Sequence, residues 1–208
     1  MKRILIGFLL CGAAFAQSIA LSVSPASVPA GGTATLTLTY TDASPSANLA
    51  GLEWTFAPPT GATQGTLAPG AATTAAAKVI SCGTAACIDA GTGPTLNANV
   101  IASGVLATIP ITVTAGTGAG PLSLALTGVQ GATSAGLVAA VTTTAATLTV
   151  LSKYDLNGDG VVNSADVQIM LGEAETGTCT APSTGVGDGK CDVSDVVLEI
   201  LASLGVIH

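Results

Sequence analysis

Residues 33–41 read Thr33-Ala34-Thr35-Leu36-Thr37-Leu38-Thr39-Tyr40-Thr41, a strict alternation of hydroxyl-bearing and apolar side chains. Successive residues of a strand point to opposite faces, so this period of two makes one apolar face and one polar face. The β-branched threonines also suit an extended backbone. The same period returns at Leu52, Trp54 and Phe56, and at Val105, Ala107, Ile109, Ile111 and Val113. It recurs at Leu122, Leu124 and Leu126, then at Ala146, Leu148 and Val150. Breaks containing Pro, Gly or Ser at 44–46, 58–61, 115–121 and 131–136 separate these runs as turns. Short strands without a long helical period predict an antiparallel β-sandwich over 17–150, long enough for one core. Tyr40, Trp54 and Phe56 fall on its inward positions. Residues 63–95 are poor in large apolar side chains, so loops around Cys82 and Cys87 and at least one strand near 78–81 are expected there.

Upstream, Lys2 and Arg3 precede an apolar run from Ile4 to Leu10 and the triplet Ala14-Phe15-Ala16. That is the pattern of a secretory signal peptide, residues 1–16, cleaved after Ala16. The run is too short to span a bilayer, and no later stretch offers about eighteen uninterrupted apolar residues. A lipidated Cys11 is the weaker reading, because the bulky Leu10 stands where a small residue is needed. The expectation is a secreted chain with four cysteines: Cys82, Cys87, Cys179 and Cys191. Three pairings exist, and proximity favours Cys82 with Cys87 and Cys179 with Cys191. Zinc is disfavoured by the lack of Cys-x-x-Cys spacing and by a single, terminal histidine, His208.

Charge is lopsided. Nine of the twelve acidic residues lie between Asp155 and Glu199, whereas 17–150 holds only Asp42, Glu53, Asp89 and Lys78. No arginine follows Arg3. Binding a phosphate backbone needs clustered Lys and Arg, so nucleic acid is excluded as a partner.

The acids are spaced for a hard cation. Residues 155–166 read DLNGDGVVNSAD. Asp155, Asn157 and Asp159 place oxygens at positions 1, 3 and 5 of a twelve-residue loop, and Gly160 takes the sharp turn at position 6. The carbonyl of Val161 is available at position 7, and Asp166 closes the loop from position 12. Six to eight hard oxygens suit Ca²⁺, and three carboxylates balance its charge. Position 12 is Asp where an EF-hand has Glu, one methylene shorter. A second unit is degenerate. With Asp188 and Gly189 at positions 5 and 6, Lys190, Asp192 and Asp195 follow at 7, 9 and 12, while Thr184 and Val186 fall at 1 and 3. Asp188, Lys190, Asp192 and Asp195 therefore make at most a weak second metal site, which a Cys179–Cys191 bond would hold shut. Helical spacing follows each loop: Val167, Met170 and Leu171, then Val196, Val197, Ile200, Leu201 and Leu204. Two loop–helix units form a small α module over 153–208.

Residues 153–204 resemble a type I dockerin, the calcium-dependent plug of cellulosome assemblies. The resemblance rests on DLNGDGVVNSAD running into VQIML, and on GDGKCDVSD running into VVLEIL. It implies that positions 10 and 11 of each repeat, Ser164 and Ala165 and then Val193 and Ser194, contact a cohesin partner. Residues 18–150 look more loosely like a cohesin, the jelly-roll partner of dockerins, through IALSVSPASVPAGGTATLTLTY, LAGLEWTFAPP and ASGVLATIPITVT. The function these features imply is non-catalytic, calcium-dependent protein–protein assembly outside the cell, linked to polysaccharide degradation. One alternative is a carbohydrate-binding sandwich carried on a dockerin, with polysaccharide as its partner. Another is a glycoside hydrolase, but its paired carboxylates would have to come from Asp42, Glu53 and Asp89 alone.

Overall fold

The computed structural model describes residues 17–42, 48–83, 86–91, 97–180, 186 and 190–207. The signal segment with Cys11, and Thr184, Asp188, Gly189 and His208, lie outside the described residues. The β domain begins with β1 (Gln17–Ser24), β2 (Ser27–Pro29), β3 (Thr33–Thr41), β4 (Leu49–Phe56), β5 (Ala62–Gln64) and β6 (Ala68–Pro69). A one-turn helix α1 (Ala71–Ala75) precedes β7 (Lys78–Cys82), β8 (Cys87–Gly91) and the long β9 (Gly104–Val113). The last strands are β10 (Gly120–Leu124), β11 (Leu126–Thr133), β12 (Val138–Ala139), β13 (Val141–Thr144) and β14 (Ala146–Leu151). Two helices follow, α2 (Ser164–Thr176) and α3 (Val193–Ser203).

Three sheets enclose one core, in the orders β13-β1-β3-β9-β5 (with β6 also on β9), β10-β14-β2 and β12-β11-β4-β8-β7. Leu36, Leu38, Tyr40, Trp54, Ile111 and Leu148 are buried in it together. Pairing is mostly antiparallel, with two exceptions that correct a purely antiparallel expectation. β1 runs parallel to β13, and β2 parallel to β14. The amino-terminal strand is interrupted between Ser24 and Ser27, so its halves join different sheets and each meets a carboxy-terminal strand.

β3 buries Ala34, Leu36, Leu38 and Tyr40 and turns its threonines outward, as its alternation predicts. β9 departs from the simple pattern. Its register against β3 shifts between Leu38 and Thr39, and the extra residue Leu106 is fully buried while Val105 is only partly so. A bulge of this kind puts two residues opposite one and re-aims the side chains beyond it. The run Leu122, Leu124, Leu126 is likewise not one strand, because the chain passes at Ala125 from β10 in one sheet to β11 in another.

The stretch of small residues at 63–95 holds α1, which period reading did not foresee. Small side chains let it lie against β9. Gly70 donates to the Leu106 carbonyl at 2.6 Å, and a Cβ on Gly70 would sit 2.2 Å from the Val105 carbonyl oxygen. Thr73 Oγ1 also donates to the Leu106 carbonyl, at 2.9 Å. The expected strand at 78–81 is β7. It pairs with β8, and the Cys82–Cys87 disulfide ties directly opposed residues at a Cα separation of 3.9 Å.

Candidate calcium-binding module

The connection from β14 to the acidic loop is itself a turn. Ser152 accepts from the amide of Asp155 through its carbonyl at 3.1 Å and from that of Tyr154 through its hydroxyl at 3.2 Å. Lys153 Nζ sits 4.8 Å from the centroid of the Tyr154 ring, a cation–π contact at the junction. Tyr154 and Leu156 then enter a small second core with Met170, Val186, Cys191 and Ala202.

Between those anchors the loop folds around its own acids. Asp155 accepts from the Asp159 amide at 3.1 Å and from the Gly160 amide at 2.8 Å. Asp159 accepts from the Val161 amide at 2.8 Å, and Asn157 Oδ1 accepts from the Asp159 amide at 2.8 Å. Asp166 Oδ1 accepts from the amides of Leu156 and Asn157, at 2.8 and 3.1 Å, while Oδ2 takes the Asn163 amide at 2.9 Å. Asn163 and Asp166 thereby form a capping box that starts α2. Gly160 has φ +90°, a left-handed conformation open to glycine at no steric cost. The sharp turn at position 6 is thus made.

The donor set suits a hard divalent cation. Asp155 and Asp166 are both buried, and every hydrogen bond they accept comes from a backbone amide. Buried carboxylates without counter-charge are costly, and a cation would remove that cost. The acids are engaged with amides, however, and among the described residues no three His, Cys, Asp or Glu side chains converge as a ready-made cage.

The second unit repeats the capping. Asp192 accepts from the Ser194 amide at 2.8 Å, and Asp195 accepts from the Asp192 amide at 3.1 Å, which starts α3. The Cys179–Cys191 disulfide joins its arms at a Cα separation of 5.4 Å. Val186, at ligand position 3, is fully buried in the small core, so it serves packing. Lys190 is exposed.

Each helix turns acids inward. The residues α2 buries are Asp166, Met170 and Glu173, and those α3 buries are Asp195, Glu199 and Ala202, at matching offsets from the closing aspartate. Val193, Val197, Ile200 and Leu204 instead form an exposed stripe along α3, with Val193 at 75% and Leu204 at 71% exposure. Of the sequence-assigned contact residues, Ser164, Val193 and Ser194 are exposed and Ala165 is half-buried. Period alone marked Val197, Ile200 and Leu204 as one face but could not say that the face is outward.

Glu173 lies towards the second loop, accepting from the Thr180 amide at 3.3 Å and from the Thr180 hydroxyl. Among the described residues neither oxygen of Glu199 has a hydrogen-bond partner. Burial, and then the charges of Asp166 and Asp155, push its carboxyl up to about 7. The consequence for stability has a definite sign. Below the ordinary value of 4.5 both folded and unfolded chains are protonated at Glu199; between 4.5 and about 7 only the unfolded chain ionises. Calcium-free protein should therefore lose about 3 kcal/mol as pH rises through that window. Urea melts at pH 5 and pH 8 should show the loss, and Glu199→Gln should flatten it.

A cleft of about 860 Å³ lies between Pro29, Ala30 and Ala115 on one side and Leu151, Leu156 and Asn157 on the other. Among the described residues no helix is long and apolar enough to cross a membrane.

No protein-family description matches the chain, and no curated protein matches it either. Solved structures do. One is a chain of the CaDoc0917–CaCohA2 complex, 17% identical, with a TM-score of 0.52 over 64% of this chain and 99% of that one. CaCohA2 comes from Clostridium acetobutylicum. Another comes from the complex of the third ScaC cohesin of Acetivibrio cellulolyticus with the ScaB dockerin, at 16% identity and TM-score 0.51, covering 65% and 99% of the two chains. A third is a non-cellulosomal cohesin from the archaeon Archaeoglobus fulgidus, at 15% identity and TM-score 0.50, covering 66% and 93%. At these identities the likeness speaks to fold, and over this share of the chain it speaks for the strands. The β domain has the fold of cohesin domains.

Proposed function

We propose that this chain is a secreted, non-catalytic protein that joins protein partners in a calcium-dependent way, through a dockerin-like module appended to its cohesin-fold sandwich. The observation that carries this reading is the apolar stripe on α3. Four large aliphatic side chains at helical spacing face solvent while the same helix buries Asp195 and Glu199. Exposed apolar patches of this kind mark interaction sites. The stripe begins at Val193, one of the residues expected to touch a partner, and Ca²⁺ in the first loop would fix the helix pair that presents it. Structures of similar fold include cohesins bound to dockerins, which favours a protein partner.

Carbohydrate binding has less support, because sugar platforms need exposed rings. All the aromatic side chains of the described residues, Tyr40, Trp54, Phe56 and Tyr154, are buried. The link to polysaccharide degradation belongs to the proposal through the partner alone.

Docking on the protein's own sheet face is disfavoured by the tether. Three residues separate Leu151 from Asp155, and they are folded into a turn. Even extended they would span only about 11 Å. Self-association would then be head to tail, giving rings or filaments rather than a two-fold dimer. Light scattering over a concentration series should show mass growing with calcium and not with chelator, and Val197→Asp should abolish that growth while leaving calcium binding intact. If Val197→Asp assembles like the parent, the stripe is not the docking surface. A calcium-independent monomer restricts the stripe to a foreign partner.

A further inference from the structure

Asn157-Gly158 is the one Asn-Gly step in the chain; Asn48, Asn97, Asn99 and Asn163 are followed by Leu, Ala, Val and Ser. Both residues of the step are exposed. Nothing stands within 4 Å of the point where a Cβ on Gly158 would lie. The loop uses its other amides on its acids. Those of Leu156 and Asn157 donate to Asp166, those of Asp159 and Gly160 to Asp155, and that of Val161 to Asp159. Among the described residues no acceptor takes the Gly158 amide. An uncovered backbone nitrogen, with no side chain of its own to shield it, is thus left beside a primary carboxamide.

The carboxamide is held by Asp159 at both ends. Asn157 Oδ1 accepts from the Asp159 amide at 2.8 Å, and Nδ2 donates to Asp159 Oδ2 at 2.9 Å. The first contact puts a donor where negative charge gathers when Cγ is attacked. The second sets a carboxylate against the nitrogen that must leave, where it can relay a proton. We propose that Asn157-Gly158 is a deamidation site of the folded protein. The Gly158 nitrogen bonds to Cγ of Asn157, the Cγ–Nδ2 bond breaks, and the Gly158 proton leaves with the side-chain nitrogen as ammonia. Water then opens the cyclic imide at either carbonyl, to aspartate or to isoaspartate. Aspartate replaces the N–H···O contact with Asp159 by a pair of carboxylates, in a loop that already holds Asp155, Asp159 and Asp166. Like charges so close repel. Isoaspartate instead adds a methylene to the main chain at the turn. Either product loosens the loop, which gives the module a chemical lifetime.

The full chain, incubated at neutral pH in chelator, tests this by peptide mapping with mass spectrometry and by isoaspartate-specific methylation. A parallel sample is kept unfolded in guanidinium chloride. In the folded chain Asn157 should convert at least about tenfold faster than the other four asparagines, because its successor alone lacks a Cβ. Asn157→Asp should lower the urea midpoint of the module below that of freshly prepared parent. If Asn157 stays intact in the folded chain while it converts in the unfolded one, the loop shields it and the proposal is overturned. Conversion no faster than at Asn163, the other asparagine of the loop, overturns it too. An Asn157→Asp midpoint equal to the parent's would show a loop indifferent to the added charge and would overturn the lifetime.

Discussion

Asp155→Ala is expected to abolish tight calcium binding and to erase the calcium-dependent rise in the melting of the module. Asp155 acts twice. It supplies the carboxylate at position 1, and it holds the amides of Asp159 and Gly160 from a position only 4% exposed. Alanine removes a cation ligand and leaves the Gly160 amide without its acceptor, while the Asp159 amide keeps Asn157 Oδ1. With calcium a thousandfold above its dissociation constant, binding stabilises the folded form by roughly 4 kcal/mol, and that is the amount at stake. Melts with calcium and with chelator should separate widely for the parent and coincide for the variant. The β domain should melt alike in both, since its core shares no residue with that of the module. A variant that keeps the calcium shift would remove Asp155 from the site.

Trp54→Ala should unfold the sandwich rather than impair a sugar site. Trp54 is completely buried in β4 among side chains from all three sheets. Truncating a buried tryptophan leaves a large cavity and costs on the order of 3–5 kcal/mol. For a domain of ordinary marginal stability that is enough to populate the unfolded state. Chemical denaturation should show the midpoint falling by this amount, while retention on insoluble polysaccharide stays at the parent's background. A stably folded variant that has lost polysaccharide retention would favour the carbohydrate-binding alternative.

What the sequence disclosed follows from how periodicity works. β3, and β4 from Ala50 onward, were legible because each buries one face, so Leu36, Leu38, Tyr40, Trp54 and Phe56 alternate without interruption. β9 was legible only in part, since the bulge at Leu106 is set by its pairing with β3, and no local signal marks it. The two parallel pairings and the passage at Ala125 are long-range choices of the same kind. α1 escaped because alanines and threonines show no amphipathic period. In the module, the capping boxes at Asn163 and Asp192 sit where the loop spacing puts positions 9 and 12. The orientation of α3 was not legible. Glu199 reads as a solvent-facing acid beside a run of aliphatics, and only the packing of α3 on α2 turns it inward and the aliphatics out.

Calcium is the hinge of the account, and counting it is the most direct test. Calorimetric titration of the full chain should find one tight site per molecule, with a second site weak or undetectable, because only the first loop carries oxygens at all its ligand positions and Val186 is spent on the core. Two equal sites, or no heat of binding at all, would contradict it.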